Sequence, residues 1–123
     1  MKKSILDLDE NIVAALSYLF GPISGIIVLV LEKENRFVRF HALQSTLWFL
    51  LLMVIGWILS AIGSIFNIVH LIGGIFTGLT GLVASIVGLI GLISMVWLIY
   101  KAFTNQTWKV PVIGDVAWNQ VSK

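Results

Sequence analysis

From Leu47 to Tyr100 the chain carries no Lys, Arg, Asp or Glu. Apolar runs of roughly 18 residues or more are what a transmembrane helix needs, and one crossing uses about 20. The run is too long for one crossing, so the chain must turn inside it. Asn67, His70, Gly73, Gly74, Thr77 and Gly78 are its most polar and least bulky part. They predict a turn, as a loop or short interfacial helix, between spans near 47–66 and 79–100. Composition agrees: the chain is 59% hydrophobic and 11% charged, with mean hydropathy +1.01, against about 25% charged residues in a soluble domain. Residues 1–123 read as one membrane domain.

Asn11 to Leu31 also lacks charge. As one helix it measures about 31 Å, enough for a hydrocarbon core of about 30 Å, which predicts a first span near 11–31. Gly21-Pro22 sits in its middle and predicts a kink, since proline lacks the N–H and crowds the preceding turn. A re-entrant hairpin of two half-helices is the alternative, and needs shelter from surrounding protein. Asp7, Asp9 and Glu10 stand where a signal peptide would be positive. The expected fold is all-α: an integral membrane bundle of three transmembrane helices with short amphipathic interfacial helices. The polar tail, 101–123, contains Trp108, Pro111 and Trp118, and residues 112–118 suit a short surface helix.

Between the first two apolar stretches lies the one densely charged segment, Leu31 to Thr46. Helical spacing puts Phe37, Phe40, His41, Gln44 and Trp48 on one face and Arg36, Arg39 and Leu43 on the other. Glu32 stands four residues before Arg36, the favourable order for a helical ion pair. The segment 33–46 reads as a juxtamembrane helix continuous with the second span. Its aromatic face is expected to dock on the bundle, with His41 and Gln44 as polar juxtamembrane candidates. Lys33, Arg36 and Arg39 are expected to meet anionic lipid headgroups or a partner.

With three spans, Lys2 and Lys3 flank one side, while Lys33, Arg36, Arg39, Lys101, Lys109 and Lys123 flank the other. The positive-inside rule then puts the charged loop and C-terminus in the cytoplasm and the N-terminus outside. A re-entrant first segment would bring all three flanks inside.

Small and polar residues recur at helical spacing: Ala14, Ser17, Gly21 and Ser24 in the first segment, Gly56, Ser60 and Gly63 in the second, Gly81, Ser85 and Gly88 in the third. Such stripes let membrane helices approach closely, and these are expected to pack within the bundle or against a second copy. The sequence offers no catalytic, cofactor or metal set. Cysteine is absent, the spans hold no carboxylate, and His41 and His70 lie too far apart on a helix to share a metal. Net charge is +2, with the basic residues in short flanks and not in a groove, which argues against nucleic-acid binding.

The stretch Leu31-Glu32-Lys33-Glu34-Asn35-Arg36-Phe37-Val38-Arg39-Phe40-His41-Ala42-Leu43-Gln44-Ser45 resembles the signature of a family of small, uncharacterised prokaryotic membrane proteins. That family is similar to the membrane-embedded small subunit of the chloroplast inner-envelope protein-import translocon. Ala14-Ala15-Leu16-Ser17-Tyr18-Leu19 and Val110-Pro111-Val112-Ile113-Gly114-Asp115 extend the resemblance. It implies a helical membrane protein with a translocation-related role. The expected function is a small non-enzymatic membrane protein of the cell membrane, working as a subunit or homo-oligomer. A solute transporter or channel component is the alternative.

Overall fold

The computed structural model describes residues 3–4, 7–66 and 70–122, without the side chains of residues 66, 70–73 and 76. Among the described residues five helices follow in order: α1 (Glu10–Leu16), α2 (Pro22–Leu31), α3 (Arg36–Phe66), α4 (His70–Phe103) and α5 (Ile113–Val121). The described residues contain no strand, only an isolated bridge between Lys3 and Asp9. Among the described residues two helices are long and apolar enough to cross a membrane, over Arg36–Ile65 and Thr77–Phe103. The chain divides into two compact units: Met1–Leu50 with Ser94–Lys123, and Leu51–Ile93.

The expected first span is not one helix. α1 has seven residues and α2 ten, about 10 and 15 Å, so neither crosses a core of about 30 Å. The break comes where Gly21 adopts φ 62°, ψ −134°, a conformation closed to side-chain-bearing residues. Pro22 then starts α2 at a position where its missing N–H costs nothing. The two half-helices double back. Val13 of α1 and Val28 of α2 share a core cluster with Val38 and Ala42 of α3. At the open end, Asn35 Nδ2 donates to Glu10 Oε2 at 2.9 Å. At the closed end, a Cβ on Gly21 would touch Phe49 at 3.7 Å. The hairpin therefore runs along α3 from Asn35 to Phe49, about 20 Å.

Backbone at the break is accounted for. The N–H groups of Ser17, Tyr18, Leu19 and Gly21 bond to carbonyls three or four residues back, and that of Phe20 to Ser24 Oγ at 3.1 Å. Ser24 Oγ donates to Ser17 O at 2.8 Å, and Ser45 Oγ, from α3, to the same oxygen at 2.7 Å. Both hydroxyls also reach Gly21 O, at 3.2 and 3.1 Å.

Asn35 starts α3 as its N-cap, its side-chain oxygen accepting from Val38 N at 3.1 Å. Glu32 lies before the helix, so the expected i, i+4 geometry with Arg36 does not arise. Its carboxylate is buried and accepts from Ser4 Oγ and from the N–H groups of Glu34 and Asn35. The continuity of α3 from the charged segment into the second span is as expected. Of the expected turn, residues 70–78 belong to α4, and residues 67–69 lie outside those described.

In the unit Leu51–Ile93, α3 and α4 approach along one line of contact. A Cβ on Gly63 would lie 3.0 Å from Thr80 Oγ1, and one on Gly91 would lie 3.3 Å from Leu52 Cδ1. Thr80 and Gly91 are eleven residues apart, three helical turns, and so share a face. Gly81, Ser85 and Gly88 lie about a quarter-turn or more away from it. Nothing falls within 4 Å of a Cβ built on Gly56, Gly81 or Gly88, and Ser60 and Ser85 are exposed. Among the described residues, the stripe meets a close neighbour at Gly63, beside Thr80, and lies open at Gly56, Gly81 and Gly88.

Gly25 is the tightest point of hairpin and α3: a Cβ there would sit 2.6 Å from Thr46 Oγ1 and 2.8 Å from Ala42 O. Gly25→Ala should destabilise the protein by about 1–3 kcal/mol, because backbone must move to admit the methyl group. Gly56→Ala, in open space, should melt with wild type in detergent. Equal melting of both variants would mean that α2 does not pack here.

Candidate functional site

Where the hairpin, the first turns of α3 and the C-terminal segment meet, the chain buries a polar cluster. Tyr18, His41, Gln44, Ser17 and Ser45 are fully buried. The end of α4 sets up one side of it. Asn105 takes φ 65°, and N–H groups of Asn105 and Gln106 reach back to Ala102 O and Lys101 O at 3.0 and 2.9 Å. This is a Schellman cap, with Asn in the place glycine usually takes. It turns Gln106 O toward His41 Nε2, 2.8 Å away.

A carbonyl only accepts, so His41 Nε2 carries the proton and Nδ1 is the acceptor. Tyr18 Oη donates to Nδ1 at 2.7 Å, and itself accepts from Gln44 Nε2 at 2.8 Å. Gln44 Nε2 also donates to Trp108 O at 3.0 Å, while its Oε1 accepts from Val110 N at 2.8 Å. Every proton in this chain of contacts has an acceptor when His41 is neutral. One glutamine thus joins hairpin, α3 and tail. Phe37 and Phe40 pack edge-on to the His41 ring at 4.7 and 5.0 Å, and Phe40 meets Trp118 of α5 at 5.7 Å. The aromatic face of the juxtamembrane helix is docked, with Trp48 Nε1 donating to Ser94 Oγ of α4 at 2.9 Å.

α5 is drawn into the same cluster. Val112 has φ 67°, ψ −54°, and Ile113 N bonds to Pro111 O at 2.8 Å, a γ-turn rarely used by a β-branched residue. The turn brings Gly114 against Gln44, where a Cβ would lie 2.7 Å from Oε1 and 2.3 Å from Lys109 Cβ.

The three expected cationic contacts separate. Lys33 and Arg36 are exposed. Arg39 is half-buried, and its Nη1 donates to Leu29 O at 3.2 Å and Glu32 O at 2.6 Å, satisfying carbonyls that the end of α2 leaves open. Arg39 therefore does structural work that the opposite-face assignment did not foresee. All three line an open cleft of about 430 Å³ with Glu34, Gln120 and Val121. In the leader, Lys3 pairs with Asp9 at 2.7 Å. That hydrogen bond and the attraction between the charges hold the Asp9 carboxyl below its usual range and raise Lys3.

Ser45 stands with His41 and Gln44 among the polar residues that the sequence places where the charged helix meets the membrane, whereas Tyr18, Gly25 and Gly114 carry no such expectation. A phenol inside an apolar run was the available signal, since a buried tyrosine hydroxyl needs a partner. Among the described residues no group of three or more His, Asp or Glu could hold a metal ion. The polar cluster is closed on itself: both His41 nitrogens are engaged, and the Ser17 and Ser45 hydroxyls donate to backbone carbonyls. Its chemistry is cohesion. Gln44→Leu would leave the Tyr18 hydroxyl, Trp108 carbonyl and Val110 N–H short of a partner, at about 1–3 kcal/mol for each buried group abandoned. It should lower the melting temperature far more than Lys33→Gln, an exposed change expected within about 0.5 kcal/mol of wild type. A Gln44→Leu protein as stable as wild type would show the network to be dispensable.

Comparison with known proteins accords with this architecture. A UPF0132 membrane protein of Archaeoglobus fulgidus is 43% identical over 116 residues, covering 93% of this chain and 97% of the relative. A UPF0132 membrane protein of Methanocaldococcus jannaschii is 43% identical over 119 residues, covering 95% and 93%. A second from that organism is 39% identical over 114 residues, covering 91% and 70%. No solved structure matches. These relatives bear out the resemblance to small prokaryotic membrane proteins, whereas the likeness to a chloroplast translocon subunit gains no support from them. Residues 9–117, from the N-cap of α1 into α5, match the magnetosome magnetite crystal formation protein family, and the chain belongs to that family.

Proposed function

We propose that this protein is a non-enzymatic integral membrane subunit that works by self-association through its two long helices. One observation carries the reading. In the unit Leu51–Ile93 the helices turn most of their described apolar side chains outward, among them Trp57, Ile65, Leu82, Leu89, Leu92 and Ile93, each more than half exposed. In lipid, association is driven by close packing and not by the hydrophobic effect. The open glycines Gly81 and Gly88 give α4 a face on which a neighbouring backbone can lie. Two crossings enclose no path by themselves, so any collective structure requires several copies. The closed polar cluster favours a structural role over catalysis.

The same reading gives an orientation. Lys3, Lys33, Arg36, Arg39, Lys101 and Lys109, the described basic residues, all belong to the unit that holds the hairpin and tail. The open end of the hairpin meets the start of α3, and Asn11 Nδ2 donates to Phe103 O at 2.8 Å, beside the end of α4. The positive-inside rule then places both termini and the charged loop in the cytoplasm. The family's description concerns magnetite crystal formation; the role proposed here is assembly within a membrane.

Native mass spectrometry in a mild detergent should give a mass of two or more copies. Gly81→Leu with Gly88→Leu should shift it to one copy without unfolding the polar cluster. A wild-type monomer, or an unchanged oligomer in the variant, would contradict self-association through α4.

A further inference from the structure

The cleft beside the charged loop has a chemical character the polar cluster lacks. It lies between the α2–α3 junction and the last turn of α5, and holds about 430 Å³. Three cationic side chains line it, Lys33, Arg36 and Arg39, with the carboxylate of Glu34 as the described acidic group. The ion pairs among the described residues are Lys3 with Asp9 and Lys109 with Asp115, and neither involves Lys33, Arg36 or Arg39. Arg39 is anchored through Nη1 on the carbonyls of Leu29 and Glu32. One wall of the cleft is thereby fixed, and Gln120 of α5 adds an uncharged hydrogen-bonding group on the other.

The apolar surroundings say which anion fits. Val30 and Leu31, the last residues of α2, are 59% and 56% exposed directly before the loop that carries Lys33. Farther along the hairpin, Ile23, Ile26 and Ile27 are exposed as well. A ligand with a phosphate at the cleft and a hydrocarbon chain on this surface satisfies both features. A free phosphate satisfies only the first.

We infer that the cleft lined by Lys33, Arg36, Arg39 and Gln120 is a binding site for the phosphodiester headgroup of an anionic phospholipid, with an acyl chain lying against the outer face of α2. This rests on the membrane embedding and orientation proposed above, and not on self-association. Arginine grips the phosphate oxygens through paired N–H donors, and lysine adds a point charge. The site gives the hairpin, whose apolar face is otherwise open to lipid, a fixed anchor at the headgroup level.

The test uses the full chain in mixed micelles, with phosphatidylglycerol and phosphatidylcholine as probes and retained lipid read by native mass spectrometry. Wild type should retain phosphatidylglycerol in preference to phosphatidylcholine, with the preference falling as salt rises. Lys33→Gln with Arg36→Gln, both exposed and outside the Arg39 anchor, should reduce phosphatidylglycerol retention by roughly thirtyfold. That corresponds to about 1 kcal/mol for each cation removed. Its melting temperature without lipid should stay at the wild-type value. Lys109→Gln, which removes a cation already paired with Asp115, should leave retention unchanged. Equal retention by wild type and the double variant would overturn the site, as would retention of both lipids alike. Displacement of phosphatidylglycerol by millimolar inorganic phosphate would overturn its assignment to a lipid in favour of a soluble anion. The same spectra give the number of copies, so failure of the lipid site is read separately from failure of self-association.

Discussion

Everything in the N-terminal half depends on how the backbone at Ser17–Gly21 is satisfied. A helix broken in apolar surroundings exposes carbonyls that lipid cannot solvate, at several kcal/mol for each one left bare. Ser24 and Ser45 answer this together, converging on Ser17 O and sharing Gly21 O. Ser24 belongs to the hairpin, but Ser45 belongs to α3, so the break is stable only when docked. Docking in turn needs Gly25, because a side chain there would hold α2 off the α3 backbone. Turn, contact and hydroxyl thus form one cooperative unit.

The second tie works at the other end of the same helix. Gln44 alone reaches Tyr18 on the hairpin and the backbone of Trp108 and Val110 in the tail. A buried polar network is favourable only if complete, since a half-satisfied one costs more than an apolar core of the same shape. Here completion requires the α4 cap to turn Gln106 O toward His41, and the γ-turn at Val112 to bring Gly114 against Gln44. The strained backbone at Val112 is held by these contacts. The C-terminal segment is therefore fastened into the fold, not trailing from it.

Much of this was legible in the sequence, and the rest was hidden for identifiable reasons. The charge-free run to Tyr100 announced two long helices, and the spacing of Phe37, Phe40, His41 and Gln44 announced a docked face. Gly21-Pro22 marked the break, but its outcome, kink or hairpin, turned on Ser45, 28 residues beyond Ser17. Periodicity within one segment carries no such information. Gln44 stood out as a polar residue, yet its tail partners are backbone groups 64 and 66 residues away, and every residue has those. Helical phase and the positive charge of its flank point Arg39 to headgroups; the carbonyls at the end of α2 compete for it and win one nitrogen. Gly81, Ser85 and Gly88 share a face, as their spacing required, but spacing does not say what that face meets.

In the proposed topology the first apolar segment enters the membrane and returns on one side. The chain has no cysteine, so single cysteines can be introduced at Lys3, Glu34 and Asn119 and probed with a membrane-impermeant maleimide in sealed vesicles of known orientation. With a returning hairpin, Lys3→Cys, Glu34→Cys and Asn119→Cys should all react from the cytoplasmic face and none from the other. Labelling of Lys3→Cys from the face opposite Glu34→Cys would contradict it, because the first segment would then cross the membrane.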